Sequence, residues 1–516
     1  MEPSDGNVWP LIRFVVPAFQ LNIFTRYASR TTSLGPVSVA TAANKVWGWR
    51  VEIIDGNNYC GPCDENGLPD HARLQEESPA SVVGFYCGLT STMDRVFELS
   101  RFYRGRGAIN IAGGWHAHYC PEEMLNNNFD VVVHGDGEIA IQQILAVLGG
   151  KGELADIPGI SFRGVDGRIV RNPPAMLELP DLSGLPYPDF DLMKYVKEMK
   201  LHPIGRVRGC KWNCEFCSVK GKPRWASPQY VFNVVNWLVE TRNARDFFIV
   251  DDRLEENLEG IIQFFRMIHE KYGNRLDFTV QIRLETARNI EFLETMKRAG
   301  VRMVCVGYES PIDEDLKAMR KGYLSHHMIE WTKTLRRYFW IHGMFIFGYP
   351  NKQKSALSAS EMAGCFKEFI RKTKIGSIQV LHPVPLVGTD LRARLVKEGR
   401  IFPLSLVPWR YYDGNHACFL PNNMSLAEFQ DIPIKLMRWF YGSGSFLRIP
   451  LLWLSFHRLL KGKGHWRYGW LREAVRYYGH RLVVKWQKRH AAGEFLSRLE
   501  EYKNAAPCGA AEKNPE

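Results

Sequence analysis

Cys210, Cys214 and Cys217 stand in a C-x3-C-x2-C array. Three thiolates on one short loop can hold three irons of a 4Fe–4S cluster and leave the fourth iron open. The alternatives are a structural zinc or unrelated free thiols. Zinc wants four protein ligands, and no fourth Cys or His follows closely. The other cysteines carry weaker signals. Cys60-Gly61-Pro62-Cys63 has pair spacing without a second pair, and Cys87, Cys120, Cys305, Cys365 and Cys418 are scattered singly. Eleven cysteines in 516 residues are too sparse and too odd in number for a disulfide framework, so a reduced, cytoplasmic setting is expected.

The elements that must position these groups form two α/β blocks. Short apolar runs at 14–16, 51–54, 82–86, 109–112 and 131–133 suit strands buried on both faces of a parallel sheet. Helical stretches at 37–47, 93–103, 122–126 and 138–148 separate them. Five such units predict a doubly wound domain over 1–150, with ligands beyond the carboxyl ends of its strands. The loops there are rich in glycine and small polar residues. They contain Gly88 to Thr92, Gly113-Gly114-Trp115-His116 and Gly135-Asp136-Gly137-Glu138.

Residues 151–200 read as a connector, with a hairpin signal around Val165-Asp166-Gly167 followed by proline-rich extended chain. Six further βα units follow over 201–392, with strands expected at 204–207, 247–250, 278–281, 301–306, 344–347 and 378–381. They predict a partial (β/α)6 barrel with chemistry at its strand ends. Ser227-Pro228 reads as an N-cap and first-turn proline. Residues 393–500 are expected to be helical, and 501–516 a loose tail.

With the blocks in place, the cysteine loop Arg208-Gly209-Cys210-Lys211-Trp212-Asn213-Cys214-Glu215-Phe216-Cys217-Ser218 resembles the radical S-adenosylmethionine (SAM) superfamily. Asp251-Asp252, Gly307-Tyr308-Glu309-Ser310, Phe345 to Pro350, and His382-Pro383-Val384-Pro385 with Gly388-Thr389 agree in order and at the right strand ends. Leu34-Gly35-Pro36, Gly113 to Ala117, Pro121-Glu122-Glu123 and Gly135 to Glu138 look like that superfamily's cobalamin-binding-domain branch. The resemblance covers residues 10–430. It implies SAM cleavage at the open iron to a 5′-deoxyadenosyl radical, an external reductant of flavodoxin or ferredoxin type, and modification of an unactivated carbon. Methyl transfer from methylcobalamin to a hydrophobic or natural-product substrate is the leading reading.

By the same resemblance, Phe216, Asp251, Asp252, Gln281, Arg283, Glu309, Ser310 and Gly348 are expected near SAM. Helix capping for the aspartates and rim ion pairs for Arg283 and Glu309 are the alternatives. Tyr349 is a weak catalytic candidate, set against a packed aromatic. Tyr86, Thr90, Ser91, Thr92, Gly113, Gly114, His116, Gly135, Gly137 and Glu138 are expected at a corrinoid. The Asp-x-His-x-x-Gly motif that supplies a histidine to cobalt elsewhere is missing, since His134 follows Asp130 by four and directly precedes Gly135. The first domain therefore either takes cobalamin without a protein imidazole or keeps its shape empty. In the second case the enzyme joins, cyclises or oxidises its substrate, which can be a lipid.

Composition adds a location. Lys+Arg 67 against Asp+Glu 55 makes the chain basic, with +12 overall. Residues 441–490 hold 11 basic residues and one acid, interleaved with Trp453, Trp466, Trp470 and Trp486. No run of 18 apolar residues suits a transmembrane helix. The first residues lack a secretory pattern. The apolar density of 446–460 predicts either a helix in the membrane plane or a subdomain packed on the barrel, and nucleic acid is not expected as a partner.

Overall fold

The computed structural model describes residues 9–19, 31–173, 181–196, 199–351, 357–442, 475–486 and 493–505. The first sheet has seven strands. They are β1 (Leu11–Val16), β2 (Arg50–Asp55), β3 (Val82–Tyr86), β4 (Ile109–Gly113), β5 (Val131–Val133), β6 (Ile160–Arg163) and β7 (Ile169–Arg171). Their order is β2-β1-β3-β4-β5-β6-β7. The first five are parallel, and β6–β7 add antiparallel to β5. The hairpin expected in the connector thus extends the first sheet past residue 150. Strand β1 is buried at all six positions, as a central strand covered on both faces must be.

The second sheet holds β8 (Leu201–Ile204), β11 (Asp246–Ile249), β12 (Asp277–Ile282), β13 (Val301–Glu309), β14 (Trp340–Ile346) and β15 (Ser377–Leu381). It runs β15-β14-β13-β12-β11-β8, all parallel. This is the expected open six-stranded barrel. Its first strand is shifted from the expected 204–207 to end at Ile204. Pro203 lacks a donor and is tolerated there because β8 is an edge. Val207–Arg208 (β9) instead pairs antiparallel with Arg224–Trp225 (β10), so a two-stranded ribbon closes the base of the cysteine loop. Ser227 caps the helix Pro228–Arg242 by accepting the Tyr230 amide.

Among the described residues, the two large apolar clusters each draw residues from both domains. One joins Ile12, Ile53 and Ile141 to the barrel core. The other joins Val15, Phe85 and Val132 to Tyr349 and to the segment after the barrel, Val387 to Phe429. The far edge of the barrel is closed by the helix Leu426–Gly442. Its Tyr441 hydroxyl receives the Ile378 amide at 3.0 Å and donates to the Ile378 carbonyl at 2.6 Å. No helix among the described residues is long and apolar enough to cross a membrane. The segment 446–460, expected to lie along a membrane or pack on the barrel, falls outside the described residues.

Tyr441→Phe strands both backbone groups of a buried edge strand. The expected loss is about 1–3 kcal/mol, read as a lower thermal transition of the full chain. An unchanged transition means that the edge is closed by other contacts.

Candidate functional site

The strand carboxyl ends of the two sheets face one cavity of about 630 Å3, within the roughly 300–1,000 Å3 usual for ligand pockets. The first domain lines it with Tyr86, Gly88, Gly113, Gly114, Trp115, His118, Gly135, Asp136, Gly137 and Glu138. The barrel side contributes Arg206, Arg208, Lys220, Lys222, Arg224, Tyr230 and Asp252. Gly114 is a structural necessity. Gly114 has φ 117°, and a Cβ there would lie 2.7 Å from the Gly88 nitrogen, so only glycine keeps both loops this close. A Cβ on Gly113 would meet open space. A flat ligand can therefore approach backbone directly. The sequence-expected Tyr86, Gly113, Gly114, Gly135, Gly137 and Glu138 all reach this cavity.

Four others do not line it. Thr90–Thr92 form a 3-10 turn in which Thr90 and Thr92 are buried. The Thr92 hydroxyl donates to the Leu89 carbonyl, and Thr90 meets His116. Ser91 belongs to the same turn. On the short helix Trp115–Tyr119, residues 115 and 118 share a face and His116 points away into packing, so His118 takes the cavity position expected of His116. Glu138 is at the cavity wall but is engaged by protein. It accepts Arg208 at 2.6 and 3.1 Å and the Ser38 hydroxyl at 2.5 Å.

Arg208 also meets Asp136 at 3.0 Å, and Arg224 reaches the same oxygen at 2.7 Å. Burial works to raise the Asp136 pKa, but the two guanidinium groups hold it below the usual carboxylate range. Neither of the two basic partners is legible in the sequence as a site residue. Arg208 stands two residues before Cys210, which was the available signal.

The cysteine loop between β9 and β10 is held along its length. Asp251, fully enclosed, accepts the Arg206 and Val207 amides, and burial pushes its carboxyl up to about 6. Asp252 accepts the Gly209 amide at 2.7 Å, and Glu256 accepts Lys211 at 3.1 Å. The two aspartates thus fix the backbone entering the loop, rather than presenting free carboxylates. Tyr119 of the first domain donates to the Ser218 carbonyl at 3.1 Å.

Glu215 lies between the second and third cysteines. It accepts the Tyr349 hydroxyl at 2.6 Å and Arg394 at 2.8 and 3.0 Å. Burial, then the Glu215 charge, drives the Tyr349 pKa far upward. Tyr349 therefore braces the loop with its hydroxyl and does not offer it to a substrate. Phe216 packs edge-on to that ring.

Arg283 stacks on Trp212 with its carbon 4.1 Å from the ring centroid and lies 3.9 Å from the Cys214 sulfur. Glu285 and the Lys321 carbonyl hold its guanidinium. Lys321 in turn meets Glu309 at 3.1 Å. Gln281 sits exposed on β12 opposite Cys305. The fully buried Ser310 instead donates to Asp315, and Gly348, at φ 75°, packs against the Phe429 ring. Among the described residues, the structure thus brings Arg283 to the loop, links Glu309 to it through Lys321, shows no contact of Gln281 with it, and turns Ser310 and Gly348 into packing.

The donor sets fit the groups expected. Three thiols on one clamped loop suit an open-site cluster. Burial pushes the Cys217 thiol up to about 11, and metal coordination deprotonates such a thiol outright. The glycine cradle and the polar rim suit a large flat ligand.

A B12 binding domain model matches residues 23–145, and a radical SAM superfamily model matches residues 204–358. The chain is 26% identical over 377 residues to an uncharacterized methyltransferase of Pyrococcus horikoshii, covering 70% of this chain and 78% of that protein. It is 24% identical to bacteriochlorophyllide d C-12(1)-methyltransferase of Chlorobaculum tepidum, covering 90% and 94%. Its fold matches the cobalamin-dependent SAM radical enzyme OxsB, solved with aqua-cobalamin and SAM bound, with TM-score 0.65 and 15% identity over 96% and 75% of the two chains.

Tyr349→Phe is expected to lower thermal stability while leaving the yield of SAM cleavage products within a few-fold. A loss of three orders of magnitude without unfolding would return this hydroxyl to the reacting centre.

Proposed function

The chain belongs to the cobalamin-binding branch of the radical SAM superfamily, and from that premise we propose that it is a cobalamin-dependent radical SAM methyltransferase acting on an unactivated carbon of a small, largely hydrophobic molecule. The observation that carries this reading is the cavity bounded on one side by the glycine cradle and on the other by the two ends of the cysteine loop, Gly209 and Lys220 to Lys222. When bound, the cluster with SAM supplies a hydrogen-abstracting adenosyl radical and the corrinoid supplies a methyl group.

The residues of this chain do the rest. Cys210, Cys214 and Cys217 hold the cluster and leave one iron for SAM. Asp251 and Asp252 fix the loop entrance, and Glu215 with Tyr349 and Arg394 fixes its middle. Arg283, beside the Cys214 sulfur, and Glu309, linked to it through Lys321, are the proposed partners of SAM's polar groups, with Gln281 two positions before Arg283 as a third candidate. Tyr86 and the turns at Gly113-Gly114 and Gly135–Gly137 form the corrinoid bed. Phe14, Leu34, Val39, Trp115, Val234 and Phe248 line the cavity and exclude water from it, which a radical intermediate requires. A hydrophobic substrate is supported by these apolar walls and by the bacteriochlorophyllide named for one relative. A reductant of flavodoxin or ferredoxin type completes the proposal.

Anaerobic incubation with methyl-deuterated SAM, reductant and extracts of candidate substrates tests the reading by mass spectrometry. The expected product carries the labelled methyl group, and 5′-deoxyadenosine forms alongside it. Any one of Cys210, Cys214 or Cys217 changed to Ala abolishes both; full 5′-deoxyadenosine formation by such a variant would falsify the cluster assignment. Gly114→Val is expected to remove corrinoid absorbance while leaving SAM cleavage largely intact. Protein from cobalamin-replete cells that neither carries nor takes up a corrinoid points instead to joining, cyclising or oxidising chemistry.

A further inference from the structure

His116 is 1% exposed and has both ring nitrogens engaged. Nδ1 lies 3.2 Å from the Thr90 hydroxyl, and Nε2 lies 2.9 Å from one oxygen of Glu123. The other Glu123 oxygen accepts the Trp409 indole N–H at 2.8 Å. Burial works to raise the Glu123 pKa, but His116, Trp409 and Arg392 hold the carboxyl below its usual range. Cys120 stands one helical turn after His116, and Glu123 follows in the helix Pro121–Asn126. One ligand atom from each of His116, Cys120 and Glu123 lies within 4.8 Å of the other two.

We propose that His116 Nε2, Cys120 Sγ and Glu123 Oε2 bind one zinc-class divalent cation, at a site separate from the cluster cysteines. The donor set is an imidazole, a thiolate and a carboxylate, the three types that zinc takes at about 2.0–2.3 Å, and with three protein ligands a water takes the fourth position. The outer atoms are already held as metal ligands require: His116 Nδ1 faces an oxygen, and Glu123 Oε1 receives a donor. The inner atoms are left to converge. Binding is balanced in charge. The imidazole takes the Nδ1–H tautomer and donates to Thr90, and the Cys120 thiol proton leaves to solvent. One dication, one thiolate and one carboxylate then sum to zero, which suits a half-buried centre. Without the cation, the hydrogen bond between Nε2 and Oε2 holds the same pair together. The site would tie the turn carrying Gly114, Trp115 and His118 to Trp409, from the segment after the barrel, and so stiffen one wall of the cavity.

Cobalt(II) is the probe, because its thiolate charge-transfer and tetrahedral ligand-field absorbances report the donor set. The protein is the full chain with Cys210, Cys214 and Cys217 changed to Ala and Cys60, Cys63, Cys365 and Cys508 to Ser, which leaves only the buried Cys87, Cys305 and Cys418 beside Cys120, freed of metal by dialysis against a chelator. One equivalent of cobalt is expected to give thiolate charge-transfer absorbance that zinc displaces. Cys120→Ser, with unchanged circular dichroism, is expected to abolish that absorbance. Trp409→Phe is expected to weaken binding roughly ten- to a hundred-fold. No charge-transfer absorbance at one equivalent, or an absorbance that survives Cys120→Ser, overturns the proposal.

Discussion

The antiparallel pairing of Val207–Arg208 with Arg224–Trp225 sets two guanidinium groups opposite each other, an arrangement that like charges disfavour. Asp136 resolves the conflict by accepting both, and Glu138 takes the remaining donors of Arg208. The carboxylates belong to the first domain and the guanidinium groups to the second. Asp136 is itself flanked by Gly135 and Gly137, and Arg208 stands two residues before Cys210. One electrostatic joint therefore fixes the glycine cradle and the cysteine loop in a common frame. Partly buried pairs of this kind gain little net stability, because desolvation offsets the attraction. Their contribution here is registry.

A loop that must hold three sulfurs in one geometry gains from having its backbone groups satisfied by neighbours that cannot move. Asp251, Asp252 and Glu256 accept amides along its first half. Glu215 anchors its second half to Tyr349 and Arg394, and Tyr119 reaches its end from the other domain. Asp251 and Asp252, just past a strand end, and Glu256, in the turn that follows, serve as fixed acceptors, the supporting shell that a preorganised site needs. The cost is visible in Asp251, whose enclosed carboxyl is pushed up to about 6 because burial outweighs its two amide donors.

Much of this was legible in the sequence. Runs such as 82–86 and 131–133 coincide with strands because continuous apolar stretches between turn residues have few alternatives in a parallel sheet. The C-x3-C-x2-C loop and the glycine turns at 113–114 and 135–137 fell at strand ends as expected. What was not legible depends on side-chain direction and on distant partners. Thr90, Thr92 and His116 have ligand-like chemistry, but the 3-10 turn and the short helix point them inward. Glu138 is claimed by Arg208, 70 positions away. Tyr349 and Glu215 are separated by 134 positions, so no local pattern announces their bond. The first barrel strand ends earlier than expected because Ile204 and Val207, both β-branched, belong to different strands, and the ribbon partner that captures Val207 lies beyond the loop.

The account rests on a corrinoid cavity that both ends of the cysteine loop line and whose walls are joined through Asp136. The most direct measurement is a crystal structure of the reconstituted full chain, with anomalous difference maps recorded at the iron and cobalt edges. The account predicts iron density at Cys210, Cys214 and Cys217, and cobalt density in the cavity bounded by Tyr86, Gly114 and Gly135. Iron at the cysteines with cobalt absent from that cavity, or held elsewhere on the chain, would contradict it.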